Sequence, residues 1–242
     1  MNFTIKPYGD SAILIEFEQR ISPKIHEQVV NLQAKIKTAA ITGVTYFIPA
    51  YCSLTIGYNP LLIQFKSIKE QIEDLKNQPS AESLTHKSQL LQIPVCYETP
   101  YGLDLKSVAR LAKISKEKVI QLHTEKTYRV YMLGFLPGFA YMSSLSKQLF
   151  TKRKATPVLR IPAQSVGIAG DQTGIYPSEA PGGWRILGRT PIPVFNPNLS
   201  DPFLFKVGDS VQFKAISSQT FQEIETAISK GQFSFKSLAS NG

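Results

Sequence analysis

Cysteine is scarce in this 242-residue chain. Cys52 and Cys96 are the only two, and they stand 44 residues apart. That is too few and too far for a disulfide framework or a zinc knuckle. No apolar run approaches the roughly 18 residues that a membrane span requires. The opening stretch, MNFTIKPYGDSAILIEFEQR, carries a single Lys before Asp10. It lacks the basic start, apolar stretch and small-residue cleavage site of a signal peptide. These absences predict a soluble, cytoplasmic protein. Ligand signatures are missing too. There is no G-x-x-x-x-G-K-[ST] P-loop, no G-x-G-x-x-G dinucleotide fingerprint, and no H-E-x-x-H or Cys/His cluster to hold a metal. All three histidines, His26, His86 and His123, precede the glycine-rich part of the chain. A Ser-His-Asp or Cys-His device would therefore have to be assembled over long sequence distance.

Acidic residues are outnumbered, 18 Asp and Glu against 27 Lys and Arg. The excess is uneven: residues 1–80 hold 8 basic and 7 acidic side chains, and residues 81–242 hold 19 and 11. A basic surface suits nucleic acid, phosphate or carboxylate partners, but charge alone favours a solvated surface with no partner.

The first eighty residues read as ββαββα. NFTIKPYG and SAILIEF alternate like strands. Ser22-Pro23 starts a helix, Ser as the cap and Pro at its first position. Ile25, Val29, Leu32 and Ile36 then recur at helical spacing. VTYFIP and SLTIGY are two further strands, and FKSIKEQIEDLK a second helix with Ile68, Ile72 and Leu75 in register. A sheet with helices on one face is the economical packing. Residues 77–90, NQPSAESLTHKSQL, are polar and read as a connector. The expected organisation is an α+β domain over 1–80, a linker over 81–90, and a second domain over 91–242.

LQIPVCY opens that second domain as a strand. Helices follow from Leu105 to about Lys113 and from Lys116 to His123, the latter capped by Ser115. The pair superficially looks like a helix-turn-helix, but the second helix offers few base-reading side chains, and Val119, Ile120 and Leu122 need a core. His123, at the helix end, reads as a partner of the helix dipole. YRVYML is a strand. From Gly134 to Asp209 there are nine Gly and nine Pro in 76 residues. Short runs VLRIPA, SVGIA, WRILG, PIPVF and SVQFK lie between them, the pattern of a barrel or sandwich. FQEIETAISKG reads as a closing helix.

Two segments carry the chemistry: 129–142, RVYMLGFLPGFAYM, and 158–195. Glycines at the density of Gly167, Gly170, Gly174, Gly182, Gly183 and Gly188 allow close backbone approach and can expose amides to an anion. Barrel corners and bulges demand Gly as well. Arg160, Arg185 and Arg189 in the same run favour a binding surface. From residue 143 to 200 the only carboxylates are Asp171 and Glu179. The segment can hold an oxyanion but is poor in acid–base groups, which suits half of an active site completed by another chain. Trp184, Cys52 and Cys96 read as buried apolar groups, and Lys152-Arg153-Lys154 as a solvated loop, with contact to a phosphate as the alternative.

The segment YRVYMLGFLPGFAYM, with R-x-P-A-x-S-V-G-I-A-G-x-Q-T-G-I-Y-P and P-G-G-W-R-I-L-G-R-T-P after it, resembles the 5-oxoprolinase B-subunit family. That family is also called allophanate hydrolase subunit 1 or the sporulation-kinase-A inhibitor family. IPVCYETPYGLDL, the V-I-Q-L-H-T helix end and V-G-D-S-V-Q-F resemble it too. The resemblance implies an α+β N-terminal domain and a mostly-β, cyclophilin-like barrel as the C-terminal domain. It implies a hydrolase subunit, inactive alone, that works with subunits C and A to convert 5-oxoproline, ATP and water to glutamate, ADP and phosphate. ATP with magnesium is then a co-substrate, and no resident metal site is expected. By position, the substrate or nucleotide surface would draw on Arg129, Gly134, Phe135, Gly138, Arg160, Ser165, Gln172, Thr173, Tyr176, Gly182, Gly183, Trp184, Arg185 and Arg189. The same resemblance admits two other readings, a regulator that docks a histidine kinase and a subunit acting on allophanate or related urea-derived carboxylates. Nucleic acid and membrane are not expected partners. The chain departs from the family pattern at Ala140, Val158, Gln164 and Asp171, where Pro, Arg, Gly and Gly are usual.

Overall fold

The computed structural model describes residues 2–76 and 88–239. The chain divides into two compact units, Met1–Lys87 and Ser88–Gly242. Of the stretch expected as a linker, 81–87 lie outside the described residues, and Leu90 already begins a strand.

The first unit is built as β1 (Thr4–Pro7), β2 (Ala12–Glu16), α1 (Pro23–Ala39), β3 (Val44–Pro49), β4 (Ser53–Tyr58) and α2 (Phe65–Leu75). Its four strands form one antiparallel sheet in the order β1-β2-β4-β3. Alternation in β2 buries Ile13 and Ile15, and helical spacing buries Ile25, Val29, Leu32 and Ile36 of α1 with Ile68, Ile72 and Leu75 of α2. These residues share a single core with Leu54 and Ile56. Lys35 runs its stem through that core and donates from Nζ to the Leu75 carbonyl at 3.3 Å, a buried ammonium capping the open C-terminal end of α2. Ser22 occupies the cap position of α1 in extended conformation, but its hydroxyl makes no cap hydrogen bond; Pro23 alone does what the sequence predicts there.

The second unit contains β5 (Leu90–Cys96), α3 (Leu105–Ala112), α4 (Lys116–Thr124), β6 (Thr127–Leu133), β7 (Ala140–Ser143), β8 (Val158–Ile161), β9 (Ser165–Ala169), β10 (Gln172–Ile175), β11 (Ala180–Gly182), β12 (Arg185–Arg189), β13 (Ser210–Ile216) and α5 (Ser218–Ser229), with 3₁₀ turns at Lys147–Leu149 and Phe235–Leu238. Seven strands close a barrel in the order β10-β7-β6-β13-β5-β12-β9, and β8 and β11 pair as a separate ribbon. The mixed α+β architecture with a closed barrel is the one expected. Closure joins the first and last strands of the unit: β13 runs parallel to β5 from Ser210↔Leu90 to Ile216↔Cys96. Val130, Met142, Val166, Ile168, Ile175, Leu187, Val211 and Phe213 fill the interior. Val119 and Leu122 of α4 are buried in the same core, and Ser115 caps that helix by accepting from the Lys118 amide at 3.1 Å.

The PIPVF run is not a strand. Ile192 and Val194 are buried, yet only Phe195 bridges another segment, at Phe203. Pro191 and Pro193 remove the donors a ladder needs. Three strands escape the sequence pattern, β7, β10 and β11, each of three or four residues and carrying Gly, Pro or Ala.

Candidate functional site

The two segments singled out in the sequence meet on the outside of the barrel. Register places Gly174 of β10 opposite Gly167 of β9 and Tyr141 of β7, and Gly167 opposite Ile186 of β12. Two adjacent glycines leave a trough in the sheet surface, and aromatic rings fill it. A Cβ on Gly174 would fall 2.8 Å from the Ala140 carbonyl oxygen and 3.1 Å from the Phe139 ring. Phe139 packs edge-to-face on Tyr176 and Trp184, at 5.1 and 5.4 Å, and Tyr141 lies 5.9 Å from Trp184. Such pairs hold their geometry through ring quadrupoles. Ile161, Ala169, Ala180 and Ile186 complete this second core. Close approach, rather than positive φ, is thus what most of these glycines supply. Among the six from Gly167 to Gly188 only Gly170 has positive φ, at +62°. It is the first residue of the two-residue β9–β10 loop, the place where mirror-image turns favour Gly.

The layer has a basic edge. The Lys154 amide donates to the Gly183 carbonyl at 2.7 Å, and Arg185 Nε donates to the Lys152 carbonyl at 3.3 Å. Residues 152–154 are thereby held along 183–185. Asp104, ahead of α3, accepts from the Ile186 amide at 2.8 Å and from Lys154 Nζ at 2.7 Å through the same Oδ2. Burial raises the phenol pKa of Tyr141, and pushes that of Tyr176 up to about 12. The Arg153 charge opposes both shifts.

Inside the barrel is a separate polar chain. Thr173 Oγ1 donates to the Gly167 carbonyl at 3.1 Å, so it accepts from His123 Nε2–H at 2.9 Å. That leaves Nδ1 to accept from the Tyr97 hydroxyl at 2.7 Å. The imidazole stacks on Phe213 at 4.6 Å, and Tyr128 donates to the His123 carbonyl. Burial lowers the His123 pKa to about 3, so the ring is neutral. This corrects its reading as a cation on the helix dipole: a closed barrel offers no water to stabilise an imidazolium.

The structure divides the sequence-predicted residues. Trp184, Tyr176, Gly182 and Gly183 belong to the aromatic layer or its rim, and Arg185 to the basic edge. Gly134, Phe135 and Gly138 form the β6–β7 turn, which the Gly134 amide closes onto the Phe139 carbonyl. Phe135 is exposed there, with φ +69° and its ring edge-on to Phe139. Gln172, Ser143 and Arg129 form one cross-strand row, placing Arg129 two strand spacings from Gln172, about 10 Å. Thr173 and Ser165 are fully buried, not surface groups. Arg160 projects from the β8–β11 ribbon toward Glu179 at 3.8 Å. Arg189 stands four residues beyond Arg185 on β12, about 13 Å along the strand. There it donates from Nε to the Ala163 carbonyl at 2.9 Å and from a terminal nitrogen to Gln164 Oε1 at 3.3 Å, and it lies over the Phe221 ring. Gln164 itself has φ +63°, so the usual family glycine is replaced at a position whose backbone favours glycine. Asp171 sits at the β9–β10 loop and accepts from Ser143 Oγ at 3.1 Å. Cys96 is buried as expected, but Cys52 is only half-buried and lies 3.4 Å from Gln19 Oε1. Sequence reasoning passed over Asp104 and Tyr141, whereas the 152–154 charge run was singled out there as a loop open to phosphate.

Residues 3–205 match the family described as carboxyltransferase domain, subdomain C and D. The B subunit of the 5-oxoprolinase of Bacillus subtilis (strain 168) is 38% identical over 231 residues, covering 91% of this chain and 96% of that protein. The crystal structure of TTHA0988 matches with a TM-score of 0.76 at 32% identity over 86% of this chain, which spans only 40% of that longer chain. The urea amidolyase of K. lactis has a TM-score of 0.80 at 18% identity, over 96% of this chain and 16% of its own, a likeness of fold alone. Among the described residues no helix is long and apolar enough to cross a membrane.

Proposed function

This chain belongs to the carboxyltransferase domain family, subdomains C and D, and we propose on that premise that it is the B subunit of an ATP-dependent 5-oxoprolinase. The reaction opens the lactam of 5-oxo-L-proline. With ATP and two waters it yields L-glutamate, ADP and phosphate. One water is added across the C–N bond and the other across the phosphoanhydride. Subunits C and A are the partners, and this chain alone does not turn over.

The observation that carries the reading is the composition of the outer layer. Beside it stand the Lys154 ammonium, the Arg160 guanidinium and the Tyr141 and Tyr176 phenols. The carboxylates beside it are already paired, Asp104 with Lys154 and Glu179 with Arg160. The nearby imidazole, His123, is enclosed in the barrel and neutral. Such a surface binds and polarises an oxyanion but takes no proton from water near pH 7. The proton acceptor therefore comes from another chain. The donors present suit phosphoryl or carboxylate oxygens; a magnesium ion asks for carboxylate ligands, so one accompanying ATP takes them from the phosphates and the partner subunit. The role of this chain's residues is to orient the lactam and the transferred phosphoryl group on a dry aromatic floor.

The test is co-purification of this chain with subunits A and C and measurement of phosphate and glutamate with and without 5-oxoproline. Equal release of both, dependent on all three chains, is expected. A stable complex that releases neither overturns the reading.

A further inference from the structure

Thr151 and Ile161 are buried, and between them nothing is: Lys152 to Arg160 are exposed except for the half-buried Lys154. This strap leaves the barrel at the Thr151–Gly170 bridge and ends in β8, where Val158 stands opposite Gly182 and Ile161 opposite Ala180. Apolar burial does not hold it down, which puts it at the low-stability end of the fold. Ahead of its ladder with β11 it is tied by polar contacts. The Lys154 amide donates to the Gly183 carbonyl at 2.7 Å, and the Lys152 carbonyl accepts from Arg185 Nε at 3.3 Å. Gly183 leaves room for the strap, since a Cβ there would already meet the Lys154 carbonyl oxygen at 3.5 Å and Arg153 Cβ at 3.6 Å. Lys154 Nζ reaches Asp104 Oδ2 at 2.7 Å, and the two side chains are only 22% and 13% exposed. A pair so sheltered is screened less and holds more than an exposed one. Its far side is fixed, because the same Asp104 oxygen accepts from the Ile186 amide at 2.8 Å.

We propose that residues 152–160 are a movable strap, latched shut by the Lys154–Asp104 ion pair, whose opening frees the Gly183 carbonyl and Arg185 Nε. Closed, the strap's own peptide groups occupy that acceptor and that donor, which stand on either side of Trp184 in the chain. A ligand that needs them binds only the open form, and its apparent affinity falls by the open fraction. The latch sets that fraction, since opening separates two sheltered charges. The device belongs to this chain alone and stands whatever reaction the complex performs.

Trypsin tests the latch on the full chain, because Lys152, Arg153 and Lys154 lie inside the strap. Where opening is fast relative to cleavage, the cutting rate follows the open population. The wild-type chain is expected to be cut slowly there. Asp104→Asn leaves the strap sequence unaltered, and Lys154→Gln spares the Asp104–Ile186 bond. Each raises the rate at Lys152 and Arg153 by about tenfold, the order of a lost charge-assisted hydrogen bond. The double variant is cut no faster than the faster single one, since both changes remove one interaction. Arg160→Gln removes an exposed pair within the strap and leaves the rate as it was. Hydrogen exchange at the Lys154 amide, followed by NMR in Asp104→Asn, reads the tie to Gly183 and accelerates together with the cutting. Mass spectrometry of the first tryptic fragments separates an open latch from a loosened barrel. First cuts outside 152–160 in both single variants overturn the proposal. So do an unchanged rate in both, additive effects in the double variant, or a Lys154 amide that stays protected while cutting accelerates.

Discussion

His123 Nε2 lies 2.9 Å from Thr173 Oγ1, joining the end of α4 to the middle of the β9–β10 hairpin inside the barrel. The chain from Tyr97 through His123 and Thr173 to the Gly167 carbonyl uses every polar atom of the imidazole ring. A network this deep is costly to break and specifies how helix and hairpin register against each other.

The buried imidazole makes stability fall in acid. Its folded pKa of about 3 lies below the ordinary value of 6.5, so between those pH values the unfolded chain binds the extra proton. The stabilisation is complete above pH 6.5 and declines as pH falls toward 3. From pH 7.5 to 5 the loss is about 2 kcal/mol. Chemical denaturation at the two pH values measures it. His123→Gln flattens this dependence, and an equally steep one in that variant would count against the assignment.

Gly174→Ala places a methyl against the Ala140 carbonyl and the Phe139 ring, at 2.8 and 3.1 Å. Overpacking of this kind costs about 1–3 kcal/mol. The urea midpoint drops, and Trp184 emission changes because Phe139 carries the displacement to its ring. An unaltered spectrum with unaltered stability would show that the trough is loose.

Gln164 gives an ordering. Its φ of +63° is a strain that Gly removes, while its Oε1 accepts from Arg189. Gln164→Gly exchanges the bond for relief of the strain and stays near wild type. Gln164→Ala loses the bond and keeps the strain, and is less stable than Gln164→Gly by about 1 kcal/mol. Thermal melts of the two variants decide it; the reverse order would refute the account.

Arg189→Ala acts on stability before it acts on any ligand. It leaves the Ala163 carbonyl and Gln164 Oε1 without their donor and takes a cation from the face of Phe221 on α5. The expected loss is about 1–3 kcal/mol. The KM of the three-subunit complex for ATP and 5-oxoproline stays at the wild-type level. A large drop in affinity without a drop in melting temperature would return Arg189 to the binding surface.

The helices and the first unit were legible because their signal is local. Ile25, Val29, Leu32 and Ile36 recur at 3.6-residue spacing, and that spacing alone buries them. The resemblance was legible because long motifs survive along the chain. The strands β7, β10 and β11 were not, since three or four residues rich in Gly and Ala have neither periodicity nor β-propensity. The PIPVF run shows the converse failure: Val, Ile and Phe register as a strand wherever they are buried, even where prolines forbid the ladder.

By itself the sequence determined which segments seek a core, where its helices begin, which surface is basic, and that its glycine-rich half lacks acid–base groups. These follow from residue chemistry and short-range spacing. Only the tertiary structure decided that β13 closes on β5, that Thr173 and His123 meet inside the barrel, and that Arg185 and Arg189, four residues apart, serve different ends of one strand. It also decided that Lys154 of the basic run lies along Gly183 and pairs with Asp104. Strand pairing joins residues by register rather than by distance along the chain, and a closed barrel settles every register together.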